Sequence, residues 1–185
     1  RAKYSGPSHP WQRKRIEEER GILSAFGLKN KKEIWKMKSL LRNTKAQAKT
    51  LIARTDAQSK KEEEALLARL YNLGMIEQGA NIDAILELDL QHMLKRRLQS
   101  MVHQQNLAHS MHQARQFIVH GHIKVNNIVI DVPSYMVKRM EEDKIQFRET
   151  SALKDPEHPE RAKEAKKIPI RVARPEKKHQ GRRRR

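Results

Sequence analysis

The stretch Ser110-Met-His-Gln-Ala-Arg-Gln-Phe-Ile-Val-His-Gly-His-Ile-Lys-Val-Asn-Asn-Ile-Val-Ile-Asp-Val132 changes its period half-way along. Up to Val119 the spacing is helical. Met111, Ala114, Phe117 and Ile118 share one side, while His112, Arg115, Gln116 and His120 share the other. Ser110 is placed to cap the helix, and Gly121 suits the left-handed residue that ends one. From there the period is two, with Ile123 and Val125 alternating against His122, Lys124 and Asn126. Asn126-Asn127 fits a tight hairpin turn with positive φ, and Ile128 to Val132 returns as a second strand that Pro133 ends.

Upstream, Leu94, Leu98, Met101 and Val102 form a second apolar stripe, with Lys95, Arg96, Gln99 and His103 opposite it. Downstream, Lys144 to Arg148 reads as a further strand after the Glu141-Glu142-Asp143 turn. Residues 93–149 are therefore expected to be a module of two helices followed by a small antiparallel sheet. Residues 1–92 read as a basic helical domain. An extended lead-in over 1–10 precedes a helix capped by Ser8 and running to Phe26. A second helix opens at an Asn30/Glu33 capping box, a third at Ser59/Glu62, and a short fourth runs from Asn81 to Leu88. Residues 150–185, with prolines and a final arginine run, are expected to be a basic, irregular extension. The fold class is mainly α with a small α+β module.

No acidic residue stands between Asp89 and Asp131, a gap of 41 residues that holds Lys95, Arg96, Arg97, Arg115, Lys124 and six of the nine histidines. The whole chain carries a net charge of +18. A folded region that excludes negative charge calls for a polyanionic partner, with nucleic acid the first reading. The absence of cysteine excludes disulfides and thiolate zinc sites. The longest apolar runs are too short to span a bilayer, and no membrane partner is expected. The chain opens on Arg1 rather than Met, so a few native residues are expected before it.

The motif Gln113-Ala-Arg-Gln-Phe-Ile-Val-His-Gly-His-Ile-Lys-Val-Asn126, followed by Val132-Pro-Ser-Tyr135, resembles the RNA-binding module named after ribosomal protein S-four. Lys3-Tyr-x-x-Pro-x-His-Pro-Trp11, Leu28-Lys-Asn-Lys-Lys-Glu-Ile-Trp35 and Leu86-x-Leu-x-Leu90 are similar to the archaeal form of that whole family. The resemblance implies a constituent of the small ribosomal subunit. It further implies early binding of small-subunit ribosomal RNA at a helix junction of the 5′ domain, near where messenger enters and beside the S-three and S-five proteins. RNA-facing positions implied by it are Arg96, Arg97, Ser110, Arg115, Gln116 and His120, then Gly121, His122, Lys124 and Asn126, with Lys95 added from the acid-free stretch. Secondary contacts are expected from Lys3, Arg13, Arg15, Lys31 and Lys32, from Arg42, Lys45 and Lys49, and from Arg182 and Arg183. Two departures stand out: Met111 occupies a position where many members carry Arg, and Asn127 replaces the common turn glycine.

Arg96, Arg115 and Lys124 come from three elements, each on its polar side, and together could track a phosphate backbone. Gln116, His120 and Asn126 can exchange hydrogen bonds with sugars, and Gly121 allows close backbone approach. The expected recognition is of RNA shape, with little base reading. The histidine spacing does not match a closed zinc site, so no metal or cofactor is expected. Trp11 and Trp35 are read as packing residues near helix starts rather than stacking platforms. Met93, Met101 and Met111 are read as core filler. An enzyme using the module as an RNA handle would need a catalytic domain with an acidic motif. Residues 1–92 offer none, and no small-molecule substrate is expected.

Overall fold

The computed structural model describes residues 4–54, 56–155 and 158–160. Helix α1 spans Arg13–Ala25, α2 Lys31–Ile52, α3 Ala57–Asn72 and the short α4 Asp83–Glu87. Helix α5 spans Leu90–Lys95, α6 Leu98–Gln104 and α7 Met111–Val119. Strands β1 (Ile123–Val125), β2 (Ile128–Val129) and β3 (Ile145–Phe147) complete the module.

The helical starts depart from expectation in instructive ways. Helix α1 begins at Arg13 and not at Ser8, and no side chain caps it. Trp11 is 89% exposed, against its reading as a packing residue. Asn30 does stand at the start of α2, but its side chain makes no cap bond. The Glu33 carboxylate that would complete the box is drawn away to Arg97 and Arg115. Helix α3 starts at Ala57, ahead of Ser59, whose hydroxyl donates instead to the carbonyls of Asp56 and Arg54 at 2.6 and 3.2 Å.

Two apolar clusters hold the N-terminal helices. Ala48, Leu51, Leu66, Leu70, Ile76, Ile85 and Leu88 join α2, α3 and α4. Leu28 and Ile34 pack with Leu94, so α5 belongs to this packing as much as to the module that begins with α6. The stretch Leu94 to Val102 is not one helix. At Arg97 the backbone turns extended (φ −73°, ψ 144°) and bridges to Met136, while Leu98 N donates to Tyr135 O at 2.8 Å and Val137 N to Arg96 O at 3.0 Å. The crossing segment takes over backbone bonds that a continuous helix would have made internally, which breaks α5 from α6.

The third cluster is the core of the module. Leu98, Met101, Val102, Ala114, Phe117 and Ile118 meet Ile123, Val125, Val137, Ile145 and Phe147. The sheet order is β2-β1-β3, both pairings antiparallel, with Lys124 opposite Val129 on one side and Gln146 on the other. Period two sends Ile123, Val125, Ile145 and Phe147 inward and leaves Lys124 and Gln146 on the outer face. Asn126 and Asn127 have φ of 50° and 67°, the left-handed pair of a two-residue hairpin turn. Strand β2 ends at Val129, with one further ladder bond from Ile130 N to Ile123 O at 3.2 Å, short of the expected Val132. Leu153, beyond the expected module end at 149, is buried in this core.

Ser110 caps α7, accepting from Gln113 N at 3.1 Å, while the Gln113 side chain accepts from His109 N at 2.7 Å. Ser110→Ala should lower stability by about 1 kcal/mol, read as a reduced urea midpoint at unchanged slope. An unchanged midpoint would show that the cap contributes nothing.

Candidate nucleic-acid interface

The exit of α7 and the hairpin hold the motif side chains on short, defined backbone. Gly121 takes φ 70° after the C-cap at His120, and a Cβ there would meet Val129 at 3.6 Å, so the conformation rather than crowding requires glycine. Gln116, His120 and Asn126 are exposed, as is Lys95 on α5. His122 is half-buried, edge-on to Phe117 with centroids 6.3 Å apart, and its Nδ1 lies 3.0 Å from Ser151 Oγ. Lys124 Nζ reaches Glu149 Oε1 at 3.0 Å and Asn127 Oδ1 at 3.4 Å. The hydrogen bond and charge of Lys124 hold the exposed Glu149 carboxyl below its ordinary value.

The three arginines of the expected cationic surface turn toward acids. Arg97 is 1% exposed and its Nη2 donates to Glu33 Oε2, so this side chain presents nothing to a partner. Arg115 is half-buried; its Nη2 donates to Glu33 Oε1 at 3.0 Å and its Nη1 lies 3.4 Å from Gln99 Oε1. Arg96 pairs with Glu142 at 2.6 Å and donates to Val137 O at 2.9 Å. Its guanidinium covers Gly74 so closely that a Cβ there would stand 2.7 Å from Arg96 Cζ. The continuous cationic wall expected from the acid-free stretch is therefore interrupted. Acids distant in sequence (Glu33, Glu142 and Glu149) fold onto Arg97 and Arg115, Arg96, and Lys124 in turn.

Glu33 is the hub of this arrangement. Burial pushes its carboxyl up, but hydrogen bonds from Arg115 and Arg97 and their charges outweigh that and hold it below the usual range. Burial lowers the Arg97 guanidinium in spite of Glu33, and Arg97 Nε and Nη1 have no hydrogen-bond partner among the described residues. Beside it, the fully buried Gln99 donates to the carbonyls of Phe26, Gly27 and Met111 at 3.2, 3.0 and 2.8 Å. Sequence reasoning missed both residues. Glu33 had a signal, being the single acid between Glu19 and Asp56 in a lysine-rich run; Gln99 had none.

The N-terminal cations divide in two. Arg15 pairs with Glu19 at 2.7 Å and also donates to the carbonyls of His9 and Pro10; Lys31 joins Glu19 at 3.3 Å and Arg13 joins Glu17 at 2.8 Å. Glu19 is raised by burial but brought below its ordinary value by Trp35, Arg15 and Lys31. Lys32, Arg42 and Lys49 are exposed and Lys45 half-exposed. At about 100° per residue, Lys31, Lys38, Arg42, Lys45 and Lys49 lie within about 60° of arc on α2, with Glu33 on the opposite side. Among the described residues, Lys38, Arg42, Lys45 and Lys49 make no ion pair. Lys38 was another residue that sequence reasoning passed over. Lys3, Arg182 and Arg183 lie outside the described residues.

The sequence has relatives over most of its length. A small ribosomal subunit protein uS4 of Nanoarchaeum equitans is 46% identical over 168 residues, 90% of this chain and 93% of the relative. One from Picrophilus torridus is 44% identical over 86% of this chain and 88% of its own length. One from Methanococcus aeolicus is 45% identical over 88% and 93%. The chain belongs to the uS4 family. A family model described as S4 domain matches residues 96–143, which begin at the break between α5 and α6 and take in α7 and the hairpin. The uS4 relatives align across the N-terminal helices as well, so the Glu33 hub lies within the family's length and outside the domain model. Among the described residues no helix is long and apolar enough to cross a membrane.

Proposed function

We propose that this uS4-family chain is a structural constituent of the small ribosomal subunit that binds small-subunit ribosomal RNA through two surfaces. It is not an enzyme, and it acts in the cytoplasm as part of the subunit. The first surface is the polar outer side of α7 and the hairpin, with Gln116, His120 and Asn126 exposed and Lys124 at its edge. The second is the cationic stripe of α2.

That stripe is the observation that carries the reading. Four like charges along one side of a helix, unpaired among the described residues, repel one another, and a polyanion removes that cost while releasing its own condensed counterions. The net charge of +18 asks for the same kind of partner. Arg97 and Arg115 are assigned a different task, joining the module to α2 through Glu33, while Arg96 pairs with Glu142 inside the module and lies against Gly74. The division into a helical domain over 1–92, a module over 93–149 and an extension over 150–185 is part of this reading, with α5 packing across the first boundary and Leu153 carrying the module's core past the second. So are early binding in the 5′ domain and a position near the messenger entrance beside the S-three and S-five families. The support for these finer statements is the motif resemblance together with the two basic surfaces.

The test is sedimentation of a native extract carrying a tagged copy of the chain. It should migrate with small subunits and stay with them through a high-salt wash. Recovery in the light fractions would overturn the reading of a constituent.

A further inference from the structure

The lead-in before α1 does not trail away from the helices. Ser5 N donates to Ser39 Oγ at 3.1 Å, and Arg15 ties down the carbonyls of His9 at 3.1 Å and Pro10 at 2.7 Å. Folded back in this way, residues 5–9 and α2 enclose a cleft of about 250 Å³. Ser8, Ser39, Arg15, Lys38 and Arg42 line it with donors, Trp35 forms an apolar wall, and among the described residues no acidic side chain lines it. Glu19, the carboxylate paired with the lining residue Arg15, is 7% exposed and also holds Lys31 and Trp35 Nε1. Lys38 and Arg42 stand one helical turn apart with no ion pair among the described residues, and Arg15 Nε is buried without a hydrogen-bond partner.

We propose that this cleft seats a single backbone phosphodiester of folded RNA, held by Lys38 and Arg42 and by the Ser8 hydroxyl. The inference rests on the RNA-binding function proposed for the chain and adds a defined seat to it. Three features set the ligand class. Two adjacent uncompensated cations ask for an anion, and the volume is below that of a typical small-molecule pocket. The third is that Trp35 already gives its N–H to Glu19, so the donors left for a ligand are the cations and the serine hydroxyls. A phosphate on a chain also enters through the open side of the cleft without having to be enclosed.

The test uses the full chain carrying Trp11→Phe. The sequence has two tryptophans, so Trp35 is then the sole tryptophan, excited apart from the three tyrosines at the red edge of its absorption. A labelled small-subunit ribosomal RNA fragment is titrated, with anisotropy reporting binding and Trp35 emission reporting the cleft. Emission should change in step with anisotropy. Lys38→Gln with Arg42→Gln should remove the emission change, weaken Kd about 10-fold and reduce the slope of log K against log salt by about two. Flat emission beside saturating anisotropy, or an unaltered slope in the double variant, overturns the seat and leaves RNA binding standing. No anisotropy change at all sinks both. Inorganic phosphate alone should give no saturable emission change; if it does, the cleft serves a free anion and the proposal fails.

Discussion

Replacing Glu33 with alanine is expected to lower the unfolding free energy by about 3–5 kcal/mol, because it leaves a buried guanidinium without its counter-charge. Arg97 is 1% exposed and pairs with no other acid among the described residues; Arg115 loses its acid in the same step. Adding Arg97→Met should recover most of the loss, since an apolar side chain of similar length removes the stranded charge. Acid should reproduce the effect in the parent chain. The folded carboxyl titrates below its ordinary value of 4.5, so the Glu33 contribution is complete above that pH. It is lost as pH falls through the lower folded value, and Glu33→Ala should lack that component of the acid transition. Urea unfolding at neutral pH and on stepping into acid checks both. A loss below about 1 kcal/mol would mean that the buried pair is no better than a surface one.

The second large effect concerns RNA. Lys45→Glu with Lys49→Glu should weaken binding to small-subunit ribosomal RNA by about 10- to 100-fold at moderate salt and flatten the salt dependence by about two counterions. Lys60→Glu with Lys61→Glu, next to Glu62, Glu63 and Glu64, should stay within about threefold of the parent. Equal effects from the two pairs would show that net charge alone, and not the α2 stripe, determines affinity. Arg115→Glu is a poor probe of the same surface, because it would place a second carboxylate against Glu33 and disturb folding.

The module was legible because its period switches within one short stretch. Ser110, Gly121 and the Asn126-Asn127 turn each demand a particular backbone conformation, and the structure has all three there. The break at Arg97 was not legible. Leu94, Leu98, Met101 and Val102 keep a helical spacing across it, and only the distant segment around Met136 interrupts the backbone. The cationic wall was misread for a related reason. Absence of acid along the sequence says nothing about acids that arrive from residues 33, 142 and 149. Helix wheels also report which side of an element is polar without reporting what that side meets. Arg115 is on the polar side of α7 as expected, yet that side meets α2.

A single carboxylate grips two guanidinium groups, one from the start of α6 and one from α7, and it stands on the helix whose far side carries the lysine stripe. The hairpin and the stripe are thereby set at a fixed span, like the jaws of a caliper, before any RNA arrives. Docking then forgoes much of the orientational entropy that two loosely tethered patches would lose. Slackening the Glu33 joint should therefore reduce RNA affinity even where neither jaw is touched.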